Sequence, residues 1–167
     1  MPSIEAQKFV ADSILKRPWK SPVIDLGAGE YSLWYKGLFG DAEYKTLDIE
    51  QTKKKDIDII ANITFMPEIP SKSYGVVLLL ETLEHIVNPF AAFMESARIL
   101  KPGGIFICTT VANHGIHRHP KDYWRFLPDG LQSLCDVAHL TVYNLLLTSE
   151  DMSKPSCCMV AAYKDEN

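Results

Sequence analysis

Two glycines at the end of an apolar segment are the residues of this chain whose chemical use is clearest. Gly27 and Gly29 follow the largely apolar residues 23–26, and a carboxylate, Asp48, closes the next such segment, residues 44–48. Glycine lets a strand turn tightly and removes the Cβ that would block a ligand's approach to the backbone. A carboxylate on the next strand can accept both hydroxyls of a ribose. The pattern therefore predicts a site for a cofactor that contains a nucleoside.

A second group of reactive side chains lies in residues 113–128, which read NHGIHRHPKDYWRFLP. Three histidines and three large side chains follow one another there: His114, His117, His119, Tyr123, Trp124 and Arg125. A histidine suits proton transfer because its unperturbed pKa lies near neutrality. The segment follows a predicted strand, at the edge where open α/β sheets bind ligands.

Three interpretations of this segment stay open. As a substrate lid, its aromatic side chains wall a pocket and a histidine handles protons. As structure alone, Tyr123, Trp124 and Phe126 fold it onto the core while Arg125 pairs with Asp122 or another carboxylate. As a metal site it is weak, because no carboxylate or cysteine stands at a fixed spacing from the histidines. No metal is therefore expected.

Apolar runs that alternate with helical patterns position these residues. The predicted strands are residues 23–26, 44–48, 57–60, 76–80, 104–110, 140–147 and 157–163. Helices are predicted between Ser3 and Pro18, over residues 32–39, from Asn88 to a break at Pro102, and over residues 128–139. Such alternation predicts a mostly parallel α/β sheet that helices cover on both faces.

The same periodicity predicts which side chains are buried. In the helix after Asn88, the expected inner face comprises Phe90, Phe93, Met94, Ala97 and Leu100. Trp34 and Tyr35 are expected in the core rather than at a substrate. The adjacent Cys157 and Cys158 are expected on opposite faces of a strand.

Composition excludes several classes of protein. The chain has 167 residues, 47% of them hydrophobic, which suits a single domain. A net charge of -4 does not provide the excess of positive charge that is typical of nucleic-acid-binding proteins. The longest apolar run, residues 76–80, is too short to span a membrane, and the N-terminus lacks the layout of a signal peptide. Four cysteines without a C-x-x-C pair indicate reduced thiols, so a cytoplasmic location is expected.

Five segments, taken in order, resemble one family. They are DLGAG at residues 25–29, LDI at 47–49, ANI at 61–63, ETLEHI at 81–86 and ILKPGG at 99–104. In order and spacing they are similar to the motifs of the class I S-adenosylmethionine-dependent methyltransferases. The resemblance implies a Rossmann-like fold whose seven-stranded sheet is mostly parallel, with its last strand antiparallel.

The resemblance also implies S-adenosylmethionine as cofactor and S-adenosylhomocysteine as product. Gly27, Ala28 and Gly29 would pass under the methionine portion, and Asp25 would accept from its ammonium group, directly or through water. Asp48 would take both ribose hydroxyls.

The remaining family positions concern the adenine and the sulfonium. Asn62 stands where many relatives have an aspartate beside the adenine amino group, so a weaker contact is expected. Ile49 and Ile63 would sandwich the ring. The backbone of Leu80 and Glu81 would border the sulfonium.

Methyl transfer to an acceptor hydroxyl or amine, on a small molecule or a glycan, is the function that follows. The expected base is His85, His117 or His119, although capping or a packed neutral ring explains His85 equally well. His114, Tyr123, Trp124 and Arg125 are the expected substrate contacts. The acceptor itself is not predicted.

The expected division of the chain is an N-terminal helix in residues 1–20, a cofactor-binding core in 21–112, a substrate-side loop in 113–127 and C-terminal elements in 128–167.

A cofactor-binding module without catalysis, serving as a partner subunit or sensor, is the alternative function. Tyr31 replaces the family's third glycine. A protein that binds a nicotinamide dinucleotide is disfavoured for two reasons. Ser32 stands where the dinucleotide-binding fingerprint has a glycine, and an acid, Asp25, precedes the first glycine.

Overall fold

A computed structural model describes residues 3–29, 33–53, 57–151 and 153–166, so Tyr31 and Ser32 lie outside the described part. Its helices are α1 (Ile4–Lys16), α2 (Leu33–Lys36), α3 (Pro89–Ile99) and α4 (Pro128–Val137). Its strands are β1 (Val23–Leu26), β2 (Tyr44–Asp48), β3 (Ile59–Ile60), β4 (Tyr74–Leu80), β5 (Leu100–Asn113), β6 (Leu140–Leu147) and β7 (Ser156–Lys164). Single 3-10 turns lie at Gly37–Phe39 and Leu83–His85.

All seven strands form one sheet in the order β3-β2-β1-β4-β5-β7-β6. The pairs among β1 to β5 are parallel, and β7 pairs antiparallel with both β5 and β6. The predicted fold, with its last strand antiparallel, is confirmed. Because β1 lies between β2 and β4, the carboxyl ends of these three strands meet at one edge.

Two apolar cores cover the two faces of the sheet. Val77 and Leu79 of β4 face the core that contains Phe93 of α3, whereas Val76 and Leu78 face the core under α1. Every residue of β4 is buried, as expected for a central parallel strand. Cys158 packs in the first core and Cys157 against the second, so their predicted placement on opposite faces is confirmed.

Several boundaries were predictable from caps and apolar runs. β1, β2 and β6 have the predicted bounds. Ser3 caps α1 by accepting from the Ala6 amide, and Asn88 caps α3 by accepting from the Ala91 amide, both at 3.1 Å. The described helices are too short or too polar for any of them to cross a lipid bilayer.

The third and fifth strands differ from their predictions. β3 has only two residues because the Asp58 side chain takes the place of a backbone acceptor in bonding to β2. The Asp58 carboxylate accepts from the amide and the hydroxyl of Thr46, both at 2.8 Å. β5 begins at Leu100 rather than at residue 104, since Leu100 pairs with Tyr74 and a register shift follows.

Three side chains expected in the core lie outside it. Phe90 and Met94 are 50% and 55% exposed, because α3 turns its Phe93 and Ala97 side inward. Trp34 is 54% exposed, whereas its neighbour Tyr35 is buried as predicted. Phe93, Ala97 and Leu100 are buried as predicted, so periodicity alone made the apolar face of α3 too wide.

Candidate functional site

The turn after β1 is shaped by its two glycines and by a threonine from the end of β4. Gly27 and Gly29 have φ of +72° and +50°, a region that residues with a Cβ rarely adopt. The amides of Gly27 and Ala28 donate to the Leu47 carbonyl at 2.8 and 3.0 Å. A Cβ on Gly27 would lie 2.3 Å from Thr82 Cγ2. The bare backbone of this turn is therefore fixed against both neighbouring strands.

Asp48, the last residue of β2, holds the same turn through its carboxylate. Its Oδ2 accepts from the Gly29 amide at 2.9 Å, and its Oδ1 accepts from the Ile49 amide at 2.7 Å. A carboxylate oxygen can accept two hydrogen bonds, so each oxygen retains one acceptor position. Two such positions on one carboxylate match the two hydroxyls of a ribose. Asp48 can therefore order the glycine turn and still bind a diol.

Asp25 is buried in β1 rather than displayed at the turn. It is 3% exposed, and its Oδ2 accepts from the Tyr44 hydroxyl at 3.0 Å. Burial, together with the negative charge of Asp25, raises the pKa of Tyr44, so the phenol stays a neutral donor. The contact between Asp25 and a cofactor ammonium group stays a prediction.

The predicted adenine contacts, which follow β2 and β3, differ in their exposure and in their hydrogen bonds. Asn62 Oδ1, expected to meet the adenine amino group, accepts from the amide and hydroxyl of Thr64 at 3.0 and 2.8 Å. Ile63 is 8% exposed and packs in the core, whereas Ile49 is 66% exposed. Phe65, which the sequence pattern did not single out, is 70% exposed. Ile49 and Phe65 are thus the accessible apolar side chains of these two connections.

β4 ends at Leu80, and Glu81 after it has an unusual backbone. The φ of Glu81 is +49°, and its amide donates to the Thr109 carbonyl at 2.8 Å. Glu81 Oε1 is buried without a hydrogen-bond partner in the described part of the chain, and burial raises the pKa of this carboxyl. A left-handed non-glycine residue and an unpartnered buried oxygen are both typical of functional sites.

Arg125 folds residues 113–127, which we call the histidine loop. Its five N–H groups all donate within the loop, to the Asp122 carboxylate at 2.6 and 2.8 Å and to the carbonyls of His114, Gly115 and Trp124 at 3.1, 3.2 and 2.7 Å. These bonds hold the pKa of Asp122 well below its usual range. Because no N–H group of Arg125 remains, the geometry favours a structural role for Arg125 over a substrate contact.

The histidine loop is anchored to the turn after β4. The amides of Tyr123 and Trp124 donate to the Glu84 carbonyl at 2.8 and 3.3 Å. Trp124 Nε1 donates to the Ile86 carbonyl at 2.9 Å, and Phe126 is buried. Tyr123 and Trp124 as residues remain 43% and 42% exposed. The loop is therefore held by its backbone while two aromatic rings stay accessible.

Four histidine rings and a buried carboxylate gather where the histidine loop meets this turn. The ring of His117 lies 4.9 Å from that of His85 and 4.8 Å from that of His114, and His119 lies 5.8 Å from His85. The Glu84 side chain is 1% exposed, and its Oε1 lies 3.6 Å from His117 Nε2. The ligand atoms of Glu84, His85 and His117 all lie within 4.8 Å of one another. Such a group can exchange protons or bind a cation.

Sequence reasoning missed residues that act through a tertiary contact. The Thr82 hydroxyl is shared between the Leu80 carbonyl at 2.9 Å and the Gly27 carbonyl at 3.2 Å, and nothing in the ETLEHI segment marks it for the second contact. The sequence pattern gives Glu84 no role beyond its place in the ETLEHI segment, although its position three residues after Glu81 puts two acids in one short turn. Tyr44 could have been identified as a partner for Asp25, since it begins the neighbouring strand.

Solved structures with the same fold include proteins of different stated activity. The chain superimposes on a Burkholderia thailandensis 1,6-didemethyltoxoflavin-N1-methyltransferase, crystallised with S-adenosylhomocysteine, with a TM-score of 0.73 and 17% identity over 97% of this chain and 77% of that one. For the cyclase SpnF the TM-score is 0.74, with 14% identity over 98% of this chain and 82% of that one. At these identities the likeness shows the fold alone.

Sequence relatives include ubiquinone biosynthesis O-methyltransferases. The chain is 47% identical to the Maricaulis maris enzyme over 38 residues, which is 23% of this chain and 15% of that enzyme. It is 36% identical to a Cereibacter sphaeroides enzyme over 67 residues, 34% of this chain and 25% of that enzyme. The chain thus matches only a quarter or less of the length of these relatives.

A family model covers far more of the chain. The model of a methyltransferase domain matches residues 5–145, a range that includes the glycine turn, Asp48, Glu81 and the histidine loop. The fold is that of a neighbour crystallised with S-adenosylhomocysteine, the demethylated form of the expected cofactor. The chain belongs to the methyltransferase-domain family, among the class I methyltransferases that use S-adenosylmethionine.

Proposed function

We propose that this chain transfers the methyl group of S-adenosylmethionine to a hydroxyl oxygen of a small-molecule or glycan acceptor. The observation that carries the proposal is the adjacency of three strand ends. Because β1 lies between β2 and β4, the glycine turn (residues 27–29), Asp48 and Glu81 meet at one edge of the sheet, which we call the cofactor edge. Ligands of open α/β sheets bind at this edge, where the strand order reverses.

The side chains and backbone at this edge suit the parts of the cofactor. Asp48 retains two acceptor positions for a ribose diol. Residues 27–29 present backbone without bulky side chains, which suits the methionine portion. The exposed Ile49 side chain can cover an adenine ring. Glu81, whose buried Oε1 has no hydrogen-bond partner among the described residues, offers negative potential to a sulfonium.

The bound cofactor supplies a methyl group that its positive sulfur already activates. The chain must therefore align the acceptor, exclude water and remove the acceptor's proton. Tyr123 and Trp124 offer accessible rings on the acceptor side. His85, His117 and His119 are the candidate proton acceptors, with His114 beside them.

An oxygen acceptor is favoured by two considerations. The stated activity of the sequence relatives is O-methylation. A hydroxyl must also lose its proton as the oxygen attacks, which requires a nearby base, and the histidine cluster offers several imidazoles. Because SpnF has the same fold and is a cyclase, the fold by itself does not establish methyl transfer.

Turnover tests the proposal. The purified chain is incubated with S-adenosylmethionine and a panel of phenols, catechols and sugars, and S-adenosylhomocysteine is followed by mass spectrometry. We expect its formation to depend on an acceptor that gains one methyl group on oxygen. The Asp48→Asn variant should lose this activity at limiting cofactor, while Glu50→Gln, a change at an exposed acid two positions away, should retain it.

Two results would overturn the proposal. One is firm binding of S-adenosylmethionine without turnover on the panel or in host extract, which would favour a cofactor-binding partner or sensor. The other is transfer to nitrogen or carbon only. Both are read from the same mass-spectrometric experiment.

A further inference from the structure

Glu84 and His85 after β4 converge with His117 of the histidine loop on one small volume. Glu84 Oε1 lies 3.6 Å from His117 Nε2 and 3.9 Å from His85 Nε2. Two ligands bound at about 2.0–2.2 Å to one ion in tetrahedral geometry lie roughly 3.4 Å apart. These two distances are thus close to the spacing that a single ion needs, and all three ligand atoms lie within 4.8 Å of one another. They come from two segments that the parallel sheet brings together.

The hydrogen bonds of His85 leave its Nε2 available as a ligand. Its Nδ1 lies 2.5 Å from the Lys121 carbonyl oxygen. A carbonyl only accepts, so Nδ1 carries the proton and Nε2 of the neutral ring carries the lone pair. Metal-binding histidines characteristically donate their other nitrogen to a backbone carbonyl or carboxylate in this way.

His117 has similar support at its Nδ1. This atom lies 3.3 Å from the Gly115 carbonyl oxygen and 3.4 Å from Asp122 Oδ2, and Nε2 of the ring faces Glu84. Asp122 also accepts from the His117 amide at 2.8 Å and is held by Arg125. A backbone carbonyl and a carboxylate beside Nδ1 are the kinds of partner that fix ring orientation in metal sites.

Glu84 is a buried carboxylate that needs positive charge. Its side chain is 1% exposed, and its Oε2 accepts from the Thr110 hydroxyl at 2.8 Å. Within the described ranges, histidines are its ion-pair partners and no lysine or arginine lies within 4.0 Å of it. Burying an ionised carboxylate is costly unless a cation or metal compensates it. A bound divalent ion would meet this requirement on the side of Oε1.

We propose that Glu84, His85 and His117 bind one divalent transition-metal ion of the Zn²⁺ type, whose open coordination position takes the acceptor oxygen. Two imidazoles and one carboxylate with an open position suit such ions. The acceptor part of the inference rests on the proposed methyl transfer. The metal site itself does not.

The short turn after β4 connects the proposed ion site to the cofactor edge. Thr82 contacts the Gly27 carbonyl, and Glu84 and His85 follow in the next turn. A hydroxyl on the ion loses its proton more readily, because the cation stabilises the oxyanion. The proton passes to water or to His119. The oxygen then forms its bond to the methyl carbon while the carbon–sulfur bond breaks, and sulfur keeps the electron pair as neutral S-adenosylhomocysteine.

Metal titration of the full chain tests the site. Protein dialysed against a chelator is titrated with Zn²⁺ by calorimetry and with Co²⁺ by visible absorption, whose bands report nitrogen and oxygen ligands. We expect one ion per chain. His117→Ala, at a side chain 27% exposed, should weaken binding at least tenfold without unfolding the protein, and Glu84→Gln should do the same.

A matched control is available in the remaining histidine. His139 lies directly before β6 with φ of +55° and is exposed, so His139→Asn introduces a residue type that tolerates this backbone. Its Zn²⁺ affinity should equal that of the unsubstituted chain. Absence of Zn²⁺ binding, or equal affinity in His117→Ala and the unsubstituted chain, would overturn the metal site.

The same samples separate this inference from the proposed function. S-adenosylhomocysteine is titrated into the chain with and without Zn²⁺. If the nucleoside binds but Zn²⁺ does not, the metal site is wrong and the proposed function stands. If Zn²⁺ binds with the expected variant dependence but the nucleoside does not, the metal site stands and the proposed function is wrong.

Discussion

The cofactor edge and the histidine loop are built in different ways. At the cofactor edge, the glycine turn presents backbone, and one carboxylate from the next strand holds it. At the histidine loop, side chains form the candidate site, and they reach each other from segments more than thirty residues apart. The first region is a local pattern that recurs in order along the chain. The second exists only after the sheet has brought the ends of β4 and β5 together.

This difference predicts that the two regions can be damaged separately. Changes at the glycine turn should remove nucleoside binding and leave metal binding intact. Changes in the histidine loop should do the reverse, because its anchoring hydrogen bonds involve Glu84 and Ile86 rather than the glycine turn.

The largest effect is expected for Gly27→Ala. The new Cβ would meet Thr82 at 2.3 Å on a residue whose φ is +72°, so the turn must move. S-adenosylhomocysteine affinity should fall at least about a hundredfold, and the free energy of unfolding should fall by more than about 1 kcal/mol. Calorimetry and urea denaturation measure the two effects. Gly37→Ala, where a Cβ meets no atom within 4 Å, is the control and should change neither.

Arg125→Ala should have the next largest effect, confined to the histidine loop. It removes all five hydrogen bonds of the guanidinium and leaves the buried Asp122 carboxylate without its cation. Hydrogen exchange of residues 113–127 should rise, and Zn²⁺ affinity and turnover should fall more than tenfold. Arg118→Ala, at an exposed position of the same loop, is the matched control. A comparable loss of nucleoside affinity would contradict the separation of the two regions.

Asp122→Asn should weaken Zn²⁺ binding by about tenfold, the lower end of the effect of outer-shell partners. The amide can still accept from Arg125, but it cannot support His117 with a negative charge. Unchanged Zn²⁺ affinity in a folded variant would show that Asp122 only folds the loop. Co²⁺ absorption distinguishes a lost ligand from a weakened one.

The smallest effect is expected for Asn62→Asp, and it is a gain. Both acceptor positions of Asn62 Oδ1 are taken by Thr64, whereas an aspartate would add a second oxygen for the adenine amino group. One additional hydrogen bond is worth about 0.5–1.5 kcal/mol, so affinity should rise roughly two- to tenfold. Calorimetric titration measures this, and a loss of affinity would place the adenine elsewhere.

The sequence predicted what local chemistry determines. The caps at Ser3 and Asn88, the bounds of β1 and β2 and the glycine turn all follow from short patterns. The width of the buried face of α3 did not follow, because Phe90 and Met94 are as apolar as the buried Phe93 and only tertiary packing separates them.

In the candidate site, too, the residues were predictable from local patterns and their tertiary contacts were not. Asp48 was predictable as a ribose ligand, but its hydrogen bond to the Gly29 amide was not. The histidines were predictable as candidates, whereas the lack of a carboxylate or cysteine at a fixed spacing from them argued against a metal. Glu84 supplies that carboxylate from another segment, and its contact with His117 requires the folded sheet.

The central claim is that the edge formed by β2, β1 and β4 binds S-adenosylmethionine through Asp48 and the glycine turn. Calorimetric titration of S-adenosylhomocysteine into the unsubstituted chain and into Asp48→Asn tests it most directly. We expect one site per chain and at least tenfold weaker binding in the variant, because charge-assisted hydrogen bonds contribute about 1.5–3 kcal/mol each. No binding to the folded chain, or equal affinity in the variant, would contradict the account.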